Sequence, residues 1–241
     1  MTTTQALILA GGLGSRLGAI TREMPKPMVS IGGRPFLEWQ IALLARHGIT
    51  RFLLCVSYRA RQIQDYFRDG KKFRCDIRYS VEDTPLGTGG AIRHASGLLD
   101  ETFFVLSGDN FLTLDYQDYI AAFHRARTAV GQLACWANEP ELFQSNVDLD
   151  GATRAIRTYD YQNPSGKKYV DIGVKIFSRK LLSYFPAGPA FSLEKDVMPA
   201  LAQKGLLVGY PVDHPPLDIG TPEGLAVAAE QLLPEGPAAH A

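Results

Sequence analysis

One stretch near the start of the chain constrains the fold more than any other. Ala6 to Ala10 form an apolar run that reads as a buried strand, and the run opens into Gly11-Gly12-Leu13-Gly14-Ser15-Arg16-Leu17. Glycines at this density let the backbone take positive φ and let a ligand approach the chain closely. Successive N–H groups of such a loop converge on one point and form an anion site. Arg16 adds a planar fork of donors suited to phosphate oxygens. Further on, Lys26 lies between Pro25 and Pro27. Pro25 fixes its own φ, and Pro27 disfavours the helical region for the residue before it. The clamp therefore predicts an extended Lys26, held on stiff backbone as a point charge for a phosphate.

Two common phosphate loops are excluded. A dinucleotide fingerprint needs a third glycine where Leu17 stands, and a P-loop needs a Gly-Lys-Ser/Thr that is absent. The length of 241 residues suits one α/β domain with a sizeable core. Lys plus Arg and Asp plus Glu both number 25, a balance that argues against nucleic-acid binding by bulk charge. Cys55, Cys75 and Cys135 are widely spaced and form no Cys-x-x-Cys, so neither a disulfide framework nor a zinc site is supported. Met1 to Gln5 lack the basic start of a signal peptide, and no apolar run approaches a membrane span. The expected location is cytoplasmic, with no membrane partner.

Taken in order, the chain alternates strands and helices. Pro35 suits the start of a helix from Phe36 to His47, which Gly48 ends. Phe52 to Val56 is a continuous apolar strand, Ala60 to Phe67 a helix, Cys75 to Val81 a strand, Ala91 to Leu99 a helix and Thr102 to Leu106 a strand. The expected fold is α/β: a Rossmann-like three-layer sandwich with a mostly parallel central sheet. Its ligand should lie at the carboxyl ends of the strands. Leu114 to Ala126 reads as a surface helix and Gln132 to Ala137 as a strand. Beyond Glu139 the pattern turns β-rich. Asn146 to Leu149, the turn Asp150-Gly151, and Thr153 to Tyr159 suggest a hairpin, and Tyr169 to Phe177 a further strand. This portion is interleaved with the sheet, so the chain reads as one domain over 1–241. The closing helix is expected over Leu225 to Leu233, and residues 234–241 as a frayed, flexible tail.

Two further loops stand at strand ends. Pro85, Gly87, Gly89 and Gly90 make a low-profile loop after the third strand, where backbone groups can read a base edge without side-chain bulk; an ordinary strand-to-helix loop has the same composition. Glu82, beside it, offers a carboxylate of the kind that accepts the N1–H and N2 amine of guanine. Ser107-Gly108-Asp109-Asn110 follows the next strand. Asp109 there suits Mg²⁺, which favours one or two carboxylates plus phosphate oxygens, although Gly-Asp-Asn is also good turn chemistry. Near the end, Asp218 precedes Thr221 and Pro222, a helix cap and a first helical residue. Ser192 is likewise an N-cap candidate, with Glu194 in the first turn behind it.

Gly-Gly-Leu-Gly-Ser-Arg-Leu followed by Pro-Lys-Pro resembles the signature of the sugar-1-phosphate nucleotidylyltransferases, and the whole chain matches that family in length and motif order. Within it, Tyr79-Ser80-Val81-Glu82 and Pro85 to Ile92 are most similar to the D-glycero-D-manno-heptose 1-phosphate guanylyltransferases. The resemblance implies a nucleoside triphosphate and a sugar 1-phosphate as partners, best GTP and the heptose, with Mg²⁺ as cofactor. It implies catalytic Arg16 and Lys26, with Asp109 and Asp218 on the metal. Nucleotide contacts would come from Ala10, Gly11, Gly12, Gly14, Ser15, Glu82, Pro85, Gly87, Thr88 and Gly108. Sugar-phosphate contacts would come from Asn110, Asn146, Asp171, Gly173 and Glu194. Residues 1–137 would mainly serve the nucleotide and 138–220 the sugar phosphate. A homo-oligomer is implied by the family alone.

The sugar side departs from the family pattern. Relatives carry Glu-Lys-Pro after the hairpin, and this chain has Tyr159-Asp160-Tyr161-Gln162. Relatives have an Asn where Asp171 stands and commonly a glycine where Asn146 stands. Lys167 or Lys168 is the candidate replacement for the missing lysine; both also suit a solvated loop. Two rival readings follow: the same chemistry on another base or acceptor, including a non-sugar phosphate, or a non-catalytic subunit that binds nucleotide sugars. Retention of Arg16, Lys26, Asp109 and Asp218 argues against the second.

Overall fold

The computed structural model describes residues 4–12, 20–139, 142–163 and 165–233. Gly14, Ser15, Arg16 and the expected tail over 234–241 lie outside the described residues. In chain order the elements are β1 (Gln5–Leu9), β2 (Ser30–Ile31), β3 (Arg34–Pro35), α1 (Phe36–Arg46), β4 (Arg51–Val56), α2 (Ala60–Phe67), β5 (Asp76–Val81), α3 (Gly87–His94), β6 (Thr102–Ser107), β7 (Asn110–Phe111) and α4 (Tyr116–Arg125). They continue with β8 (Gly131–Ala137), β9 (Val147–Leu149), β10 (Ile156–Tyr159), β11 (Tyr169–Ser178), α5 (Met198–Gln203), β12 (Leu207–Val212), β13 (Leu217–Asp218) and α6 (Pro222–Leu232).

Among the described residues nine strands form one sheet. Its first half, β5-β4-β1-β6, is parallel throughout. β11 then runs antiparallel to β6 and to β8, and β12 lies parallel to β8. The hairpin β9–β10 joins the sheet where Val147 meets Tyr169 at the start of β11. The β-rich portion is thus built onto the same sheet as the expected parallel core.

Period-two alternation sorts the strands between two hydrophobic layers. Ala6, Ile8, Phe52, Leu54, Phe104 and Leu106 face a layer closed by α1, α2 and α4. Leu7, Leu53, Cys55, Phe103 and Val105 face the opposite layer, closed by α3 and α5. Because both faces are covered, these strands read as unbroken apolar runs. A third, smaller cluster seats α6 against β2 and Phe111. Asp115 and Thr221 cap α4 and α6 through their side-chain oxygens.

The structure corrects several expectations. Lys26 opens a 3₁₀ turn over Lys26–Met28, and the extended residue is Pro25, at ψ 144°. Pro27 is tolerated there because it sits in the first turn, where an N–H is not needed. The third helix begins at Gly87 rather than Ala91: the Phe191 carbonyl accepts the N–H groups of Gly89 and Gly90 at 3.0 and 3.2 Å and so closes its first turn from outside. Strand β12 falls in a stretch for which the sequence pattern predicts no element; it carries Gly209 and Pro211 and lies at the edge of the sheet, where proline is allowed.

β11 bends at Gly173, where φ is +84° and the register against β8 shifts. A Cβ there would lie 2.5 Å from Asn110 Nδ2. Gly173→Ala is therefore expected to cost about 1–3 kcal/mol of folding stability, from left-handed strain plus the contact with Asn110. Urea denaturation reads this directly, and an unchanged midpoint would refute the strained-bend account.

Candidate active site

The carboxyl ends of β1, β4, β5 and β6 open into one cleft of about 450 Å³. This is where the parallel half of an α/β sheet leaves its strand ends exposed to a ligand. Gly11 and Gly12 continue β1, and Ser57 continues β4. Glu82, Pro85, Gly87 and Thr88 follow β5, and Gly108 and Asp109 follow β6. Ala10 is buried beneath the cleft, donating its N–H to the Cys55 carbonyl at 2.8 Å. Close approach explains Gly108: a Cβ there would lie 2.8 Å from the Leu9 carbonyl.

Glu82 is largely buried and accepts the Leu86 N–H on Oε2 at 3.2 Å. Burial pushes its pKa up, against the opposing Leu86 hydrogen bond and the charge of His94. Oε1 takes no hydrogen bond among the described residues.

Lys26 joins the two aspartates. Its Nζ lies 2.6 Å from Asp109 Oδ2 and 3.8 Å from Asp218 Oδ1. The aspartates, more than a hundred residues apart, meet through a two-residue ladder. Strand β7 pairs with β13, placing Asn110 opposite Asp218, and the Ile219 N–H donates to the Asp109 carbonyl at 3.0 Å. The Lys26 side chain is 8% exposed, whereas those of Asp109 and Asp218 are 30% and 31% exposed. Asp109 Oδ1 and Asp218 Oδ2 accept no hydrogen bond among the described residues. Two carboxylates with open oxygens beside a phosphate-sized cleft fit the ligand chemistry of Mg²⁺.

A second cleft of about 330 Å³ adjoins the first, and Thr88 and Ser107 line both. Asn110, Asp171, Gly173 and Glu194 border it. Asn146 does not: it is fully buried, and its Oδ1 accepts the Asp171 N–H at 2.9 Å. Its place is behind the cleft, holding β11 to the hairpin. Glu194 stands in a π-type turn over Leu193–Val197, capped by Ser192 as expected. Lys167 turns to the carbonyls of Asn163 and Ser165 in its own loop, and Lys168 is exposed. Two other lysines line this cleft: Lys175, buried in β11, and Lys195, exposed beside Glu194. The signal of Lys175 in the sequence is a lone charge inside the apolar run Val174 to Phe177.

Gln40 of α1 is a second residue the sequence did not single out. It is buried, and its Nε2 donates to the carbonyls of Ser107, at 2.9 Å, and of Asn110. One amide thus ties both ends of the loop that carries Gly108 and Asp109.

The profile of the nucleotidyl transferase family matches residues 5–235, and the chain belongs to that family. A UTP–glucose-1-phosphate uridylyltransferase of Synechocystis is 31% identical over 90% of this chain and 60% of its own length. A D-glycero-alpha-D-manno-heptose 1-phosphate guanylyltransferase of Campylobacter jejuni is 44% identical over 46% of this chain and 50% of its own. The chain therefore spans about half to three-fifths of the length of these curated relatives. The crystal structure of HddC from Yersinia pseudotuberculosis complexed with GMP-PN superposes with a TM-score of 0.80 at 29% identity, covering 95% of this chain and 99% of HddC. Among the described residues no helix is long and apolar enough to cross a membrane.

Gln40→Leu removes the donor from two carbonyls and is expected to lower stability by about 1–3 kcal/mol. It should also weaken binding of a nucleoside triphosphate, read by titration calorimetry. Wild-type affinity in a destabilised variant would deny Gln40 any part in placing the Asp109 loop.

Proposed function

We propose that this protein joins a nucleoside triphosphate to a sugar 1-phosphate and releases pyrophosphate. The observation that carries the proposal is the convergence of Lys26, Asp109 and Asp218 at a glycine-lined cleft formed by parallel strand ends. The chain's relatives of this activity support it. GTP with D-glycero-D-manno-heptose 1-phosphate is the favoured pair, on two grounds. One is the 44% identity to the Campylobacter guanylyltransferase. The other is the Glu82 carboxylate, which suits the N1–H and N2 amine of guanine. The same chemistry on another base or acceptor is the second reading. It is favoured by the uridylyltransferase relative and by the altered sugar side around Tyr161 and Asp171.

The triphosphate would lie over Gly11 and Gly12, with the base between Glu82 and the Pro85–Thr88 segment. An oxygen of the sugar phosphate attacks the α-phosphorus in line. The new P–O bond forms as the bond to the bridging oxygen breaks, and the electron pair leaves on pyrophosphate. The attacking phosphate is already anionic, so no general base is needed. Such transfer depends on positioning and on charge stabilisation. Lys26, stiffened by its flanking prolines, would meet the charge that builds on the α-phosphoryl group. Arg16 is proposed to serve the departing pyrophosphate. Mg²⁺, when held by Asp109 and Asp218, would neutralise charge on the triphosphate.

Pyrophosphate release is the test: GTP, CTP, UTP, ATP and dTTP against heptose, mannose and glucose 1-phosphates with Mg²⁺. Turnover is expected, fastest with GTP and the heptose. A different best pair would overturn the specificity, and silence across the panel would overturn the reaction. Lys26→Ala is expected to lower kcat about 100- to 1000-fold, and full turnover in that variant would remove it from the mechanism. Chelation of divalent metal should abolish turnover; an unchanged rate would dismiss the metal role of the two aspartates.

A further inference from the structure

Lys175 is 4% exposed and sits between Val174 and Ile176 in β11. A lysine is rarely taken out of water without a partner. Its Nζ lies 2.9 Å from Asp171 Oδ2 and 3.7 Å from Glu194 Oε1. Four residues along a straight strand would hold Asp171 and Lys175 far apart; the bend at Gly173 brings them together. Burial by itself would lower the lysine pKa, but the charges of Asp171 and Glu194 outweigh it and the net shift is upward.

The two carboxylates are not equivalent. Asp171 is enclosed, with its side chain 0% exposed. Its Oδ2 also accepts the Tyr159 hydroxyl at 2.7 Å, and its Oδ1 accepts the Gly173 N–H at 3.1 Å. It holds Lys175 from behind and has no face left for a ligand. The Glu194 side chain is 19% exposed. Its Oε2 accepts the Thr88 and Ser192 hydroxyls at 2.5 and 3.3 Å, while among the described residues its Oε1 has only Lys175, beyond hydrogen-bond reach. Of the three N–H groups on Nζ, one is used by Asp171. An ammonium donor and a carboxylate acceptor therefore stand side by side at the second cleft, both with unused capacity.

We infer that Lys175 and Glu194 together read two adjacent hydroxyls of the acceptor, which makes Lys175 a specificity-determining residue. This rests on the reading of the acceptor as a sugar 1-phosphate and goes beyond it by naming what selects the sugar. One hydroxyl accepts from Nζ and its neighbour donates to Oε1. The Lys175 ammonium is already paired with Asp171, so with Glu194 it takes the neutral, polyhydroxylated end of the acceptor through directed hydrogen bonds. The acceptor phosphate then points the other way, toward Lys26. Asp171 is a positioning residue, acting through Lys175.

The test uses heptose, mannose and glucose 1-phosphates and monodeoxy forms of the best of them. kcat/KM is read by pyrophosphate release, and affinity by calorimetry on the same compounds. Loss of either of two adjacent hydroxyls is expected to cost about 10- to 100-fold, the size of a hydrogen bond to a charged group, and loss of the others under about threefold. Lys175→Met should erase the penalty for one of the pair, and Glu194→Gln should shrink the penalty for the other. If Lys175→Met does not fold, the wild-type deoxy series and the near-isosteric Glu194→Gln decide alone. A flat deoxy series, or variants that lower melting temperature and rate equally for parent and deoxy acceptors, would overturn the inference and leave the reaction standing. Binding with the hydroxyl preference intact but no pyrophosphate release would overturn the reaction alone. No binding and no turnover with any sugar phosphate would overturn both.

Discussion

The pairing of two residues with two residues, Asn110–Phe111 against Leu217–Asp218, fixes the geometry on which the first cleft depends. Two such strands contribute little stability alone. They hold because Phe111 and Ile219 are buried with Val29, Phe36 and Trp39 under α6. The ladder sets Asp109 and Asp218 around Lys26, and the ion cluster in turn requires the ladder. Separating the strands would leave a lysine that is 8% exposed without its counter-charge, and an uncompensated buried charge is costly. Packing of the last helix is thereby coupled to the placement of a lysine near the start of the chain.

A second coupling joins the two clefts. Glu194 accepts from Thr88, whose hydroxyl oxygen accepts the Leu193 N–H at 2.9 Å. Thr88, in the first turn of α3, lines both clefts, and Glu194 belongs to the segment that lines the second. The Phe191 carbonyl holds the first turn of α3 from the same segment, and Arg93 reaches back to the carbonyls of Pro186 and Gly188. Residues 186–194 and α3 therefore form one packed unit. A shift of the Pro85–Thr88 segment is thus transmitted to Glu194 through Thr88.

Much of this was legible in the sequence wherever the signal was local. The apolar runs of β1, β4 and β6 announced strands covered on both faces, and the bounds of α2 were read without error. The cap at Thr221 followed from residue chemistry. What escaped was long-range. The meeting of Asp109 with Asp218 depends on a ladder between segments distant in sequence, and only family likeness anticipated it. Strand β12 contains Gly209 and Pro211, and its edge position, invisible in sequence, makes the proline harmless. Helix α3 starts at Gly87 because a carbonyl from residue 191 completes its first turn. Asp171 and Asn146 are both expected on the sugar side from their positions in the family pattern; Asp171 does border the second cleft, and Asn146 lies behind it. Burial in the structure turns one onto Lys175 and the other onto the strand backbone.

The same contrast bears on the missing sugar-side lysine. A lysine in a loop after the hairpin is free to meet an anion, but Lys175 is not, because Asp171 has already claimed one of its donors and Glu194 stands beside it. Moving the cation from an exposed loop into a buried strand changes what it can recognise. An exposed ammonium is a point charge that suits a phosphate, whereas one neutralised from behind acts as a directed hydrogen-bond donor with little net field. The two clefts therefore divide the chemistry between them. The first gathers a lysine and two open carboxylates near backbone that a phosphate can approach. The second carries a lysine held by Asp171 beside a carboxylate with an open oxygen, a pair that suits neutral hydroxyls. A single substrate lying across both would be oriented by the bonds each cleft can make, its anionic end at Lys26 and its polyol end at Lys175 and Glu194.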